Sequence, residues 1–166
     1  RNIQPYPTYY AMQRAMQPVL VSAELWGRNL YAGEKLHTRI YVVNDNEEGR
    51  DLKPMSLAWS IVDETNKVLA SGTEQFPAVE YYGRKYIEPN IHMPSNLPAD
   101  KVNVKLKLTL TESGVTLSQN EYGLLLARKE WNIGQITADK KVLLLDKDHM
   151  KATLDFLNIA CQTVPS

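Results

Sequence analysis

The sequence predicts an all-β chain in which two antiparallel sheets pack face to face. Three runs of residues predict it. Met55, Leu57, Trp59 and Ile61 are separated by Ser56, Ala58 and Ser60. Val102, Val104, Leu106, Leu108 and Leu110 are separated by Asn103, Lys105, Lys107 and Thr109. Leu36, Thr38, Ile40 and Val42 alternate with His37, Arg39, Tyr41 and Val43. Successive side chains of a strand point to opposite faces, so a period of two means one buried face and one wet face. About seven such segments at short spacing, between residues 18 and 131, argue for a sandwich.

The elements follow in order. Pro5 and Pro7 keep the first seven residues irregular. Thr8 is a candidate N-cap, and Tyr9, Met12 and Met16 then share one face of a short helix that Pro18 ends. So short a helix is marginal alone and has to dock, either on the sandwich or on an upstream domain. The first strand is Val19 to Trp26. A turn through Gly27, Arg28, Asn29 and Ala32, Gly33, Glu34 leads to the second, Leu36 to Asn44. Asp45 to Arg50 is a solvated loop. Met55 to Asp63 is the third strand, and Glu64, Thr65, Asn66 turn it into the fourth, Val68 to Thr73. The connection Glu74 to Gly83 is less regular. The fifth strand, Lys85 to Met93, contains Pro89, which donates no ladder hydrogen bond, so it is an edge or bulged strand. Val102 to Thr111 is the sixth. Glu112, Ser113 and Gly114 turn it into the seventh, Val115 to Ala127, bent near Asn120 or Gly123. Trp59 in mid-strand on an apolar face is the core anchor expected of an immunoglobulin-like sandwich.

After Trp131 the period changes. Val142 to Leu145 is a continuous apolar run, as in a strand buried on both faces. Met150, Leu154 and Leu157 make a helical face with Asp148 as cap, and Ile159 to Val164 reads as a second strand. This is a small β-α-β remnant. The expected division is residues 1–17 as the end of an upstream region, 18–131 as the sandwich, and 132–166 as linker and start of an α/β domain. The chain opens on Arg1 without a signal-peptide pattern and reads as a piece of a longer polypeptide.

Composition excludes more than it assigns. The 166 residues are 43% hydrophobic, and 19 basic residues cancel 19 acidic ones. Without a basic stripe, nucleic acid is a poor partner. No apolar run reaches the roughly 20 residues of a membrane-spanning helix. Cys161 is the single cysteine, which excludes an internal disulfide and a Cys-rich zinc site, and on an apolar strand it reads as a small hydrophobe. His37, His92 and His149 lie in different elements without metal-ligand spacing. Glu47 and Glu48 are a solvated pair, and no spacing selects two carboxylates for glycosidase chemistry. No Gly-rich phosphate loop follows a strand. No catalytic residue, metal or cofactor is therefore expected. The aromatics are the candidate contacts: Tyr81, Tyr82 and Tyr86 cluster around one connection, and Trp26 and Tyr31 flank another. They suit a contact with a neighbouring domain, ordinary packing, or the apolar face of a sugar.

The stretch Tyr9-Tyr10-Ala11-Met12-Gln13-Arg14-Ala15-Met16-Gln17-Pro18-Val19-Leu20-Val21-Ser22 resembles the passage from a catalytic barrel's last helix into the following sandwich of glycoside hydrolase family 2 proteins. So do Arg28-Asn29, Ala32-Gly33-Glu34, Ile40-Tyr41-Val42-Val43-Asn44-Asp45 and the hairpin Val62-Asp63-Glu64 to Lys67-Val68-Leu69-Ala70. The likeness covers residues 8 to 131. That group includes β-galactosidases, β-mannosidases and β-glucuronidases. The resemblance implies a non-catalytic accessory sandwich whose parent hydrolyses O-glycosidic bonds, is bacterial, and is periplasmic or secreted. Its partners would be the barrel upstream and an α/β domain downstream. The family's catalytic glutamates belong to the barrel, and no residue here matches them. The rival readings are a carbohydrate-binding module and a protein-binding or adhesive immunoglobulin-like domain.

Overall fold

A computed structural model describes residues 5–132, 142–144, 150–156 and 159–163. In chain order the elements are α1 (Pro7–Ala15), β1 (Val19–Glu24), β2 (Asn29–Tyr31), β3 (Lys35–Leu36), β4 (Arg39–Asn44), β5 (Met55–Asp63), β6 (Val68–Phe76), β7 (Arg84–Ile87), β8 (Ile91–His92), β9 (Lys101–Glu112) and β10 (Val115–Ala127). A 3₁₀ turn (Lys129–Asn132), β11 (Val142–Leu144), α2 (Met150–Phe156) and β12 (Cys161–Thr163) follow.

One sheet has three strands in the order β1-β4-β7, each pair antiparallel. The other has five in the order β2-β10-β9-β5-β6, antiparallel except where β2 runs parallel to β10. This is an immunoglobulin-like sandwich. Val21, Ile40 and Val42 from the first sheet meet Leu57, Ile61, Leu106, Leu108, Leu110 and Leu126 from the second, all buried in one core. Trp59 joins them, 8% exposed. The alternation that predicts β5 and β9 is therefore the alternation of core and outer face. On β6, Glu74 stands directly opposite the buried Leu57, so this carboxylate sits on the core side of an edge strand.

Two expected strands divide. The run Leu36 to Asn44 is β3 and β4, which belong to different sheets. Thr38 sits at the break, buried, with its hydroxyl donating to Glu24 O at 3.0 Å and Arg39 O at 3.3 Å. The run Lys85 to Met93 divides around Pro89 into β7, an edge strand, and β8, which pairs with β3. Both breaks lie at one corner, where the chain leaves the three-stranded sheet for the β3–β8 pair. Alternation persists through this corner, so periodicity alone does not reveal it. β2 falls where only a turn is expected. Its three residues pair with Leu125, Leu126 and Ala127. In β10 the register shifts between Thr116 and Ser118, ahead of the expected bend.

The two sheets are sewn together at β1 and β10. Val21 N–H donates to Ser118 Oγ at 3.0 Å, and Ala23 N–H donates to the Tyr122 hydroxyl at 2.9 Å. Asn120 Nδ2 donates to Val21 O and to the Tyr122 hydroxyl, both at 3.0 Å. Burial pushes the Tyr122 phenol's pKa up. Gln17 extends this seam. Its Oε1 accepts from Gln119 N–H at 3.1 Å and its Nε2 donates to Gln119 O at 3.0 Å, so one carboxamide satisfies both backbone groups of a strand residue. Ser118 Oγ also donates to Gln17 Oε1 at 3.0 Å, and Gln17 Nε2 reaches Arg14 O at 2.7 Å, closing the end of α1.

α1 begins differently from expectation. Pro7 takes the first turn, where its missing N–H costs nothing, and Tyr6 is the N-cap without a side-chain hydrogen bond, so Thr8 lies inside the helix. None of its residues is buried. Tyr9, Tyr10 and Met12, together with Met16 just beyond it, remain exposed, so the helix does not bury its apolar face on the sandwich.

The loop after β4 is pinned from within. Asn44 Nδ2 donates to Arg50 O and Val79 O, and Arg50 N–H donates to Asn46 Oδ1. Arg50 spans the two oxygens of Glu112, with Nη1–Oε1 at 3.2 Å and Nη2–Oε2 at 2.9 Å. Lys53 N–H also donates to Glu112 Oε1 at 2.6 Å. In the tail β11 and β12 are parallel with α2 between them. Leu145, Asp148, His149, Leu157 and Val164 lie outside the described residues.

Candidate functional site

The outer face of the three-stranded sheet brings together charged and aromatic side chains from β1, β4 and β7. Register places Glu24 beside Arg39 and Ser22 beside Tyr41 across β1–β4, and Tyr41 beside Tyr86 across β4–β7. The odd positions of β4 face outward because Ile40 and Val42 take the core. The Tyr41 and Tyr86 rings lie 5.3 Å apart, tilted by 44°. The Arg39 guanidinium sits 5.1 Å from the Tyr86 ring centre, a cation–π contact, while its Nε donates to Glu88 Oε1 at 3.0 Å. The Glu88 hydrogen bond, then the Tyr41 hydroxyl, raise the Arg39 pKa, so this cation stays charged.

Glu24 organises the other half of the face. Its Oε1 accepts the indole N–H of Trp26 at 2.9 Å, and its Oε2 accepts the Tyr41 hydroxyl at 3.2 Å. Trp26 is 90% exposed, yet its ring is held by that hydrogen bond. Beside it opens a cleft of about 330 Å³ whose lining includes Glu24, Trp26, Lys35, His37, Arg39 and Glu88.

Of the five aromatics singled out from sequence, the structure brings two onto this face. Trp26 and Tyr86 belong to one network through Glu24 and Tyr41. Tyr81 and Tyr82 form a separate pair ahead of β7, ring centres 4.2 Å apart. The Tyr82 hydroxyl pushes the Tyr81 phenol's pKa up, with burial next in weight. Tyr82 has φ of 56°, a left-handed conformation uncommon for a bulky residue, and is exposed. Tyr31 stands apart on β2, in the other sheet, its N–H bound to Glu34 Oε2 at 2.7 Å. Sequence reading missed Glu24, Arg39, Tyr41 and Glu88 as parts of a site. The alternation of β4 does place Arg39 and Tyr41 on one outward face. The glutamates carry no such signal.

Among the described residues no group of three or more His, Cys, Asp and Glu is placed to hold a metal. No helix among them is long and apolar enough to cross a membrane. His37 and His92 are exposed and lie on separate segments.

No family model matches the chain, and no curated protein does. Among solved structures, a β-glucuronidase from glycoside hydrolase family 2 is similar at a TM-score of 0.47 and 15% identity, over 65% of this chain and 11% of that one. A putative β-galactosidase from Bacteroides fragilis is similar at 0.45 and 10% identity, over 66% and 16%. The sporulation control protein Spo0M from Bacillus subtilis is similar at 0.41 and 15% identity, over 70% and 53%. The chain thus spans only a small part of the first two. Likenesses this slight assign no function.

Proposed function

We propose that the chain is a non-catalytic accessory sandwich of a larger glycosidase resembling glycoside hydrolase family 2. It packs against a neighbouring catalytic barrel and spaces it from the next domain. The observation that carries this reading is α1. Gln17 fixes its end to β10, while Tyr9, Met12 and Met16 stay exposed. A nine-residue helix tied at its end, with its apolar side uncovered, gains stability when another surface covers it. The same residues open the stretch that resembles the barrel-to-sandwich passage. In this reading the parent hydrolyses O-glycosidic bonds, acts outside the bacterial cytoplasm, and supplies its catalytic glutamates from the barrel.

Reading the coding sequence immediately upstream tests it. The expected result is a barrel whose strands end in a pair of glutamates. Tandem copies of this same sandwich, or an upstream region without a barrel, would overturn the proposal and favour an adhesive domain.

A further inference from the structure

We propose that the cleft beside Trp26 is a binding site for a neutral carbohydrate, with the indole as stacking platform and the charged residues around it as hydroxyl partners. This stands independently of the accessory-domain reading. The first observation is the state of Trp26. A tryptophan 90% exposed is ordinarily free to turn, but the Glu24 hydrogen bond restrains this one, and the Tyr41 hydroxyl restrains Glu24 in turn. A restrained exposed ring loses less entropy when an apolar ligand face covers it.

The second observation is the lining. Glu88 supplies an acceptor, Lys35 and Arg39 supply donors, and Glu24 adds a second negative charge. Formal charges therefore cancel, which disfavours phosphate, polyanions and cationic peptides alike. Among the described residues Lys35 and His37 have no side-chain hydrogen bond, so the cleft offers donors that are still unengaged. A sugar hydroxyl both donates and accepts, and a pyranose ring also presents C–H faces to an indole. That combination matches this mixture of groups. The volume, about 330 Å³, lies at the low end of small-molecule sites, enough for a ring or two of an oligosaccharide. Glu24 is a positioning residue here, because both its oxygens are already used.

The test is a titration of the 166-residue chain with cellotetraose, β-1,4-mannotetraose and β-1,4-galactotetraose, followed through the indole N–H resonances of its three tryptophans. At least one sugar should shift the Trp26 signal saturably at millimolar concentration while Trp59 stays in place. Trp26→Ala should abolish binding, Glu24→Ala should weaken it about tenfold by loosening the ring, and Glu24→Gln, whose carboxamide oxygen still accepts the indole N–H, should bind like the parent. Tyr31→Ala, in the other sheet, should change nothing. An unchanged Trp59 resonance in each variant certifies the fold. No saturable shift with any of the three sugars overturns the proposal. So does binding that survives Trp26→Ala, or affinity that falls steeply with salt, which marks a charged ligand. A Trp26 shift that follows protein concentration instead of sugar overturns it in favour of a contact between copies.

Discussion

The Trp59 indole lies across Gly72, its partner in the β5–β6 ladder. A Cβ placed on Gly72 would stand 2.5 Å from Cζ2, 2.7 Å from Cε2 and 2.9 Å from Nε1 of that ring. The glycine is what lets the largest side chain in the core lie flat against a strand. The indole Nε1 is buried without a partner among the described residues. Trp59 therefore contributes through contact area, not through its polar atom. Trp59→Ala should cost about 3–5 kcal/mol. Gly72→Ala should cost about 1–3 kcal/mol by overpacking. Urea denaturation measures both. In a Trp59→Leu background most of the Gly72→Ala cost should vanish, since the two residues couple by direct contact. An undiminished cost would place the strain elsewhere.

The Arg50–Glu112 pair makes stability depend on pH. Arg50's hydrogen bond first, with help from the Lys53 N–H, holds the Glu112 carboxyl below its ordinary value, against the opposing effect of burial. A carboxylate with a depressed folded pKa contributes fully above its unfolded value, and the contribution is lost as pH falls through the folded one. Glu112→Gln should thus be less stable than the parent at neutral pH. The gap should close as the solution is acidified through and below the carboxylate range. A gap independent of pH in thermal melts would mean the residue acts by shape and not by charge.

Gln17 predicts a local effect with a modest global one. Gln17→Ala leaves the N–H and C=O of Gln119 without their side-chain partner and unfastens α1. Loss of net stability should be about 1 kcal/mol. Hydrogen exchange at Gln119 should quicken, as should exchange in the last turn of α1, while β5 and β9 keep their protection. Uniform acceleration across the sandwich would show that Gln17 belongs to the global fold instead of a hinge between helix and sheet.

The chain should hydrolyse no aryl β-glycoside, because the accessory reading gives it no acid–base pair. Glycosidase carboxyls stand about 5–9.5 Å apart across the scissile bond. Glu24 and Glu88 line one cleft, but Glu24 is engaged by Trp26 and Tyr41 and Glu88 by Arg39. Turnover of nitrophenyl glycosides that disappears in Glu88→Gln would refute this.

The central strands were readable because one rule governs them. Met55–Asp63 and Val115–Ala127 fall where the residues indicate, and Lys101–Glu112 differs by one residue at each end. Leu57, Trp59 and Ile61, and Val104, Leu106, Leu108 and Leu110, face one core, while Val115 at the start of its strand is exposed. The corner at Thr38 and Pro89 was not fully readable, because a strand that changes sheets keeps its inward side chains inward. β2 was hidden for a different reason. Three residues paired to a strand almost a hundred positions away leave no local pattern. The same holds for the candidate site: tyrosine and tryptophan mark themselves in a sequence, but the glutamate that orients an indole looks like any surface acid until the strands are in register.

The rim of the five-stranded sheet has a consequence for life in crowded solution. β6 presents nine residues of open ladder to its surroundings, a natural template for another copy. Glu74 guards it, since a strand laid alongside would trap that negative charge next to oil. Exchanging it for valine should invite the copies to polymerise, seen as larger species in light scattering.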